Sequence, residues 1–287
     1  MILEQGSVGV AGFLYGTLTE PGRPRLGSAR PCTGERRRDD IKEAATSYEP
    51  FTEGDFHALS PACARDPQFD DRRLVLRRKL LAIGKAAVAL AKAEGVALEA
   101  RGSLHNPHAF NRMKVERMWT YACRDKAAKS RLKRTLGADL AKDLDAAYRN
   151  AYLCAAVESD ALEVSLRIHA DAWYDGQNLA NRLKAEGLEA WAKLLNRLEG
   201  FRLRLADWKG EWICGALTRD RLQEFLKYWK PGEHALSVEQ RFPAPAGGRG
   251  SALDPETPER MIGLLAELVP LYRYGAWSEE SDFLFRK

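Results

Sequence analysis

The sequence predicts an α+β protein, a mainly antiparallel sheet with helices packed on one face, preceded by a flexible leader over residues 1–47. Three observations lead there. Apolar residues recur at three- and four-residue steps from about Asp70 to Glu94, the period of an amphipathic helix. Leu162, Val164, Leu166 and Ile168 alternate with Glu163, Ser165, Arg167 and His169, the period of a half-buried strand. Strand-like runs then come in pairs joined by short turns, with helical stretches between the pairs, and this favours antiparallel hairpins over parallel crossovers.

The leader is rich in Gly, Pro, Ser and Arg and sustains no period after Leu18. Such a stretch buries too little apolar surface to offset its ordering entropy. A single α+β domain is expected over 48–287, in which a strand–strand–helix unit recurs without a residue-level repeat. Thr52 is placed to cap a short turn, and Gly95 to end the helix 70–94. Strands near 96–100 and 117–124 flank the loop Ser103–Asn111. A helix over 126–142 would turn Leu132, Leu136 and Leu140 inward. The apolar run 152–157 reads as a strand covered on both faces, followed by the alternating strand 162–168. Asp175 is expected to cap a helix reaching about Glu199. Strands at 201–205 and 212–217 flank the turn Asp207–Gly210. Thr218 caps a helix stopped by Pro231-Gly232. A strand over 236–242 and a helix opened by Thr257-Pro258 complete the order.

Composition narrows the function classes. With 45% hydrophobic and 30% charged residues, the chain matches an ordinary globular protein. No apolar run approaches the roughly 20 residues of a membrane-spanning helix, so no membrane partner is expected. The five cysteines are scattered, with no C-x-x-C pair, which argues against a disulfide framework and a zinc ribbon. A reducing cytoplasm is the expected location. Neither a G-x-x-x-x-G-K-[ST] loop nor a strand-borne G-x-G-x-x-G nor a G-x-S-x-G elbow occurs; no cofactor and no metal is assigned.

The segment Gly12-Phe13-Leu14-Tyr15-Gly16-Thr17-Leu18 resembles the signature loop of the gamma-glutamylcyclotransferase-like family. That resemblance implies a compact β-barrel with an acid–base glutamate. Here a Pro/Arg-rich stretch and a long helix follow instead of strands, and the family's activity is not carried over.

Two groups of residues carry candidate chemistry. The loop 103–111 concentrates His105, His108 and Asn111, and the clean strand ends on His169 and Asp171. If the loop folds over that strand end, these side chains converge, and imidazoles move protons near neutral pH. Such a site would suit an enzyme, for example a hydrolase. The second group is electrostatic. Between Arg72 and Arg149 there are 19 Lys/Arg against 7 Asp/Glu. Arg112, Lys114, Arg117, Lys126, Lys129, Arg131, Lys133 and Arg134 crowd this region, with Trp119 and Tyr121 interleaved. Cations next to stacking surfaces suit nucleic acid or another polyanion. The leading expectation is a bacterial-type cytoplasmic protein that binds an anionic partner through residues 112–134. The alternatives are the enzyme and a protein-interaction module without catalysis. Most of the late tryptophans are expected to pack in the core, with Trp208 exposed at its turn.

Overall fold

The computed structural model describes residues 48–285; the leader, and with it Gly12–Leu18, lies outside the described residues. In chain order the elements are α1 (Glu53–His57), α2 (Asp70–Ala93), β1 (Leu98–Gly102), β2 (Arg117–Arg124) and α3 (Lys126–Leu136). Then come β3 (Ala151–Glu158), β4 (Ala161–Ile168), α4 (Trp173–Glu186), α5 (Glu189–Leu195), β5 (Arg202–Leu205) and β6 (Glu211–Ile213). The chain ends with α6 (Arg219–Tyr228), β7 (Leu236–Pro243), α7 (Thr257–Glu267) and α8 (Val269–Gly275). The seven strands form one sheet in the order β1-β2-β3-β4-β7-β5-β6. Every pairing is antiparallel. The expected fold class is the one observed.

Side chains alternate across a strand, so the register sorts the sheet into two faces. On the apolar face, Met118 lies beside Val157, Leu153 and Ala155 beside Leu166 and Val164, and Val238 beside Leu166 and Leu203. Helix α2 packs here, close enough that a Cβ on Gly84 would meet the Thr120 hydroxyl at 2.4 Å. Helices α7 and α8 also contact the central strands, and Phe225 of α6 meets Trp212 of β6 edge-on at 4.9 Å. Leu166 is buried in this layer. Leu166→Ala should therefore cost about 2–5 kcal/mol, read by urea denaturation. Arg202→Ala, at a solvent-facing position of β5, should cost far less; equal losses at the two sites would contradict the division into faces.

Five local expectations are corrected. Helix α3 stops at Leu136, where Gly137 has φ +83°, and Leu140 is 56% exposed rather than inward. The helix expected over 175–199 is two, α4 and α5, separated at Gly187 with φ +82°. Asp175 is not its cap; it sits inside the first turn of α4 and is fully buried. The strand expected at 212–217 is only Glu211–Ile213, and the last helix divides into α7 and α8 where Pro270 begins a new first turn.

The other face of the sheet is polar. Its residues are Arg101 and Glu99 on β1, Arg117, Trp119, Tyr121 and Cys123 on β2, and Tyr152, Cys154 and Glu158 on β3. They continue through Glu163, Ser165 and Arg167 on β4, Ser237, Glu239 and Arg241 on β7, and Arg202 and Arg204 on β5.

Candidate nucleic-acid interface

At the centre of the polar face Glu163 is 1% exposed, and a buried carboxylate must be paired. Arg117 donates to both its oxygens at 2.9 and 3.1 Å, Arg167 at 2.7 Å, Arg241 at 3.2 Å and the Ser165 hydroxyl at 2.7 Å. Arg117 and Arg241 also grip Glu158. Glu239 is shared by two guanidiniums, Arg204 at 2.7 Å and Arg167 at 3.1 Å, and accepts from the Ser237 hydroxyl at 2.9 Å. Burial alone would push the Glu163 carboxyl up; the hydrogen bonds and charge of Arg117, with Arg167 behind them, outweigh it and hold the pKa at about 2. Glu158 follows the same balance, raised by burial and lowered further by Arg241 and Arg117. The network joins four arginines to three glutamates, with exposed Asp160 reaching Arg241 only at 4.0 Å.

Aromatic side chains border this network. Trp119 and Tyr121 stand two residues apart on β2, and Tyr152 is the neighbour of Arg167 across β3 and β4. The rings of Tyr121 and Tyr152 meet edge-on, with centroids 6.1 Å apart. All three are partly exposed. Burial, with the nearby Cys154, pushes the Tyr152 phenol up to about 12, so it keeps its proton.

Toward β5 the face opens into a cavity of about 450 Å³. Tyr152, Arg167, His169, Arg204, Trp208 and Glu239 are among its walls. The Asp207–Gly210 turn supplies one side: Asp207 adopts φ +62°, and Gly210 approaches so closely that a Cβ there would lie 3.0 Å from the Trp208 ring. Trp208 is 44% exposed, as expected.

The predicted catalytic residues separate into two places. His169 follows Ile168, which pairs with Ala151 at the start of β3, whereas the 103–116 loop leads into Arg117, which pairs with Glu158 at the end of β3. An eight-residue strand, roughly 25 Å long, separates those ends, so His105, His108 and Asn111 do not converge with His169 and Asp171. The loop groups serve their own turn: Asn111 accepts from the His108 N–H at 2.7 Å and donates to the Asn106 carbonyl at 2.8 Å, and His108 Nδ1 accepts from the Phe110 N–H. His105 is half-buried. His169 and Asp171 do stay together, with Nδ1 3.3 Å from the carboxylate. Among the described residues no group of three His, Cys, Asp or Glu could hold a metal ion.

The basic residues divide as well. Two are withdrawn from phosphate by carboxylates: Arg117 by the network, and Lys129, 8% exposed at its side chain, by Glu99 at 2.6 Å and Asp145 at 3.2 Å. The Lys129 ammonium is turned in to those carboxylates and not to solvent. Lys114 pairs with Glu116 at 2.6 Å, and Arg131 lies 3.7 Å from Glu279. Arg112, Lys126, Lys133 and Arg134 are exposed.

Sequence reasoning missed Glu158, Glu163, Arg167, Arg204, Glu239 and Arg241. Each occupies an outward position of an alternating strand, the pattern of a solvated face. The available signal was that most such positions on β4, β5 and β7 are Arg or Glu, with Ser165 and Ser237 between them. No family model matches the chain, and no curated protein is similar to it.

Proposed function

We propose that this protein binds single-stranded nucleic acid on the polar face of its sheet. The observation that carries the reading is the alignment of Trp119, Tyr121 and Tyr152 on that face beside Arg117, Arg167 and Arg241. Bases of a single strand stack on aromatic rings and guanidinium planes, and an antiparallel sheet backed by helices presents such groups side by side. The guanidiniums are already oriented by Glu163 and Glu239, so little side-chain freedom is lost when a ligand reaches them. Exposed Lys126, Lys133 and Arg134 on α3 add cation charge for the phosphates. Four free, buried thiols among the described residues suit a reducing cytoplasm, and no described helix is long and apolar enough to cross a membrane.

Binding of a labelled single-stranded oligonucleotide, followed by fluorescence anisotropy, tests the placement. Trp119→Ala and Tyr121→Ala should each weaken binding by roughly 5- to 100-fold, the range of lost base–aromatic stacking, with little change in melting temperature. Lys133→Ala and Arg134→Ala should weaken it less and lower its salt dependence. Aromatic variants that bind like wild type would remove the sheet face from consideration.

A second reading rests on one observation. His169, oriented by Asp171, opens onto the same cavity as Arg167 and Arg204, an arrangement suited to a hydrolase acting on an anionic substrate. Turnover of a bound oligonucleotide that disappears in His169→Ala, with binding retained, would favour the enzyme.

A further inference from the structure

The cavity beside Trp208 has a charge pattern that the sheet face alone does not explain. Four basic side chains, Arg167, Arg204, Lys209 and Arg241, line it against two acidic ones, Asp207 and Glu239. Both oxygens of Glu239 are taken, one by each of two guanidiniums. Arg204 has Glu239 as its one carboxylate partner among the described residues and is 43% exposed at its side chain. Arg167 and Arg241 are also held by Glu163, and Arg241 by Glu158, so the cations this cavity offers a ligand are Arg204 and Lys209; a guanidinium fork suits phosphate. The opposite requirement, a surface for a flat apolar group, is met by Trp208. Tyr228 packs on the indole at 4.5 Å between centroids; Trp208 lines both this cavity and its neighbour, Tyr228 the neighbour alone. About 450 Å³ falls within the usual range for small-molecule sites and accommodates one nucleotide.

We infer that this cavity holds a single nucleotide unit, its phosphate at Arg204 and Lys209 and its base against Trp208. The inference rests on the nucleic-acid reading and deepens it: one nucleotide of a bound strand, or a free nucleoside monophosphate, occupies the pocket at the β5 end of the face. Tyr152 belongs to both the aromatic row and the cavity wall, which makes the two surfaces continuous.

Isothermal titration of the full chain with AMP, adenosine and inorganic phosphate tests it, beside oligonucleotide binding as a separate measurement. AMP should bind at least about tenfold more tightly than adenosine or phosphate, because only AMP fills both halves. Trp208→Ala should lower AMP affinity by about tenfold or more, the size of one lost stacking contact, and leave phosphate binding as it was. Arg204→Ala should weaken AMP and phosphate together and spare adenosine. Both side chains are exposed, and an unchanged melting temperature confirms that each variant is folded. If oligonucleotides bind but AMP gives no heat at millimolar concentration, the pocket assignment is wrong while the sheet-face reading stands. AMP binding that neither variant alters would place the site elsewhere and overturn the inference. If AMP binds as described while oligonucleotides do not, the cavity is a mononucleotide site and the sheet-face reading fails alone.

Discussion

Asp175→Ala is expected to remove most of the stability of the fold. The Asp175 carboxylate is fully buried and takes a two-pronged contact from Arg124, with Nη1 at 2.8 Å from Oδ2 and Nη2 on Oδ1. It also accepts the backbone N–H of Ala151 at 2.7 Å and that of Trp277 at 2.8 Å. One side chain thus fastens the end of β2, the start of β3, the first turn of α4 and the segment after α8. Its loss leaves a buried guanidinium without its counter-ion, about 3–5 kcal/mol, and strands two N–H groups at roughly 1–3 kcal/mol each. That total is comparable to the ~5–15 kcal/mol by which domains are stable at all. The double variant Arg124→Met with Asp175→Leu should recover the part of the loss that comes from the unpaired guanidinium, since a buried pair can be replaced by apolar side chains of similar volume, but not the part from the two stranded N–H groups. Denaturant titration reads both. A single variant within about 1 kcal/mol of wild type would contradict this account of the junction.

Glu163→Gln should show the next largest effect, and one that depends on pH. With its pKa held at about 2 against the ordinary 4.5, the carboxylate contributes stability that is fully present above about pH 5. That contribution is lost as the pH falls toward 2, because the folded state takes up its proton later than the unfolded chain. At neutral pH the neutral amide leaves Arg117, Arg167 and Arg241 facing one another with less counter-charge, and the expected loss is roughly 3 kcal/mol. Between pH 5 and pH 2 the gap between variant and wild type should close. A gap that stays constant across that range would mean that the charge of Glu163 contributes nothing.

The fold was legible in the sequence wherever a local period was sustained. Helix α2 and strand β4 each repeat one period over their full length, and both stand where that period placed them. Departures occur where distant contacts take over. Asp175 carries the composition of a helix cap, but Arg124, 51 residues away, competes for its carboxylate and draws it inside. Leu140 shares the spacing of Leu132 and Leu136, yet Gly137 has already ended the helix. The site was legible only in kind. Trp119, Tyr121 and Arg117 are visible as aromatics and cations on one strand, because residues two apart share a face. Their joining to Arg167, Glu239 and Arg204 depends on β7 entering the sheet between β4 and β5, and no local pattern announces a strand order. Histidines drew attention for their chemistry, but pairing register rather than chemistry decides which of them meet.

The most direct test of the central claim is a salt series on wild-type protein with labelled single-stranded RNA or DNA, repeated with the matching duplex. Phosphate contacts release counter-ions, so log affinity should fall linearly with log salt, with a slope of about −0.7 per phosphate neutralised on a single strand. Stacking on Trp119, Tyr121 and Tyr152 needs unpaired bases, and the single strand should therefore bind more tightly than the duplex at every salt concentration. Affinity for the single strand that falls with salt and exceeds that for the duplex is the predicted result. Absence of binding at low salt, or equal affinity for single strand and duplex, would contradict it.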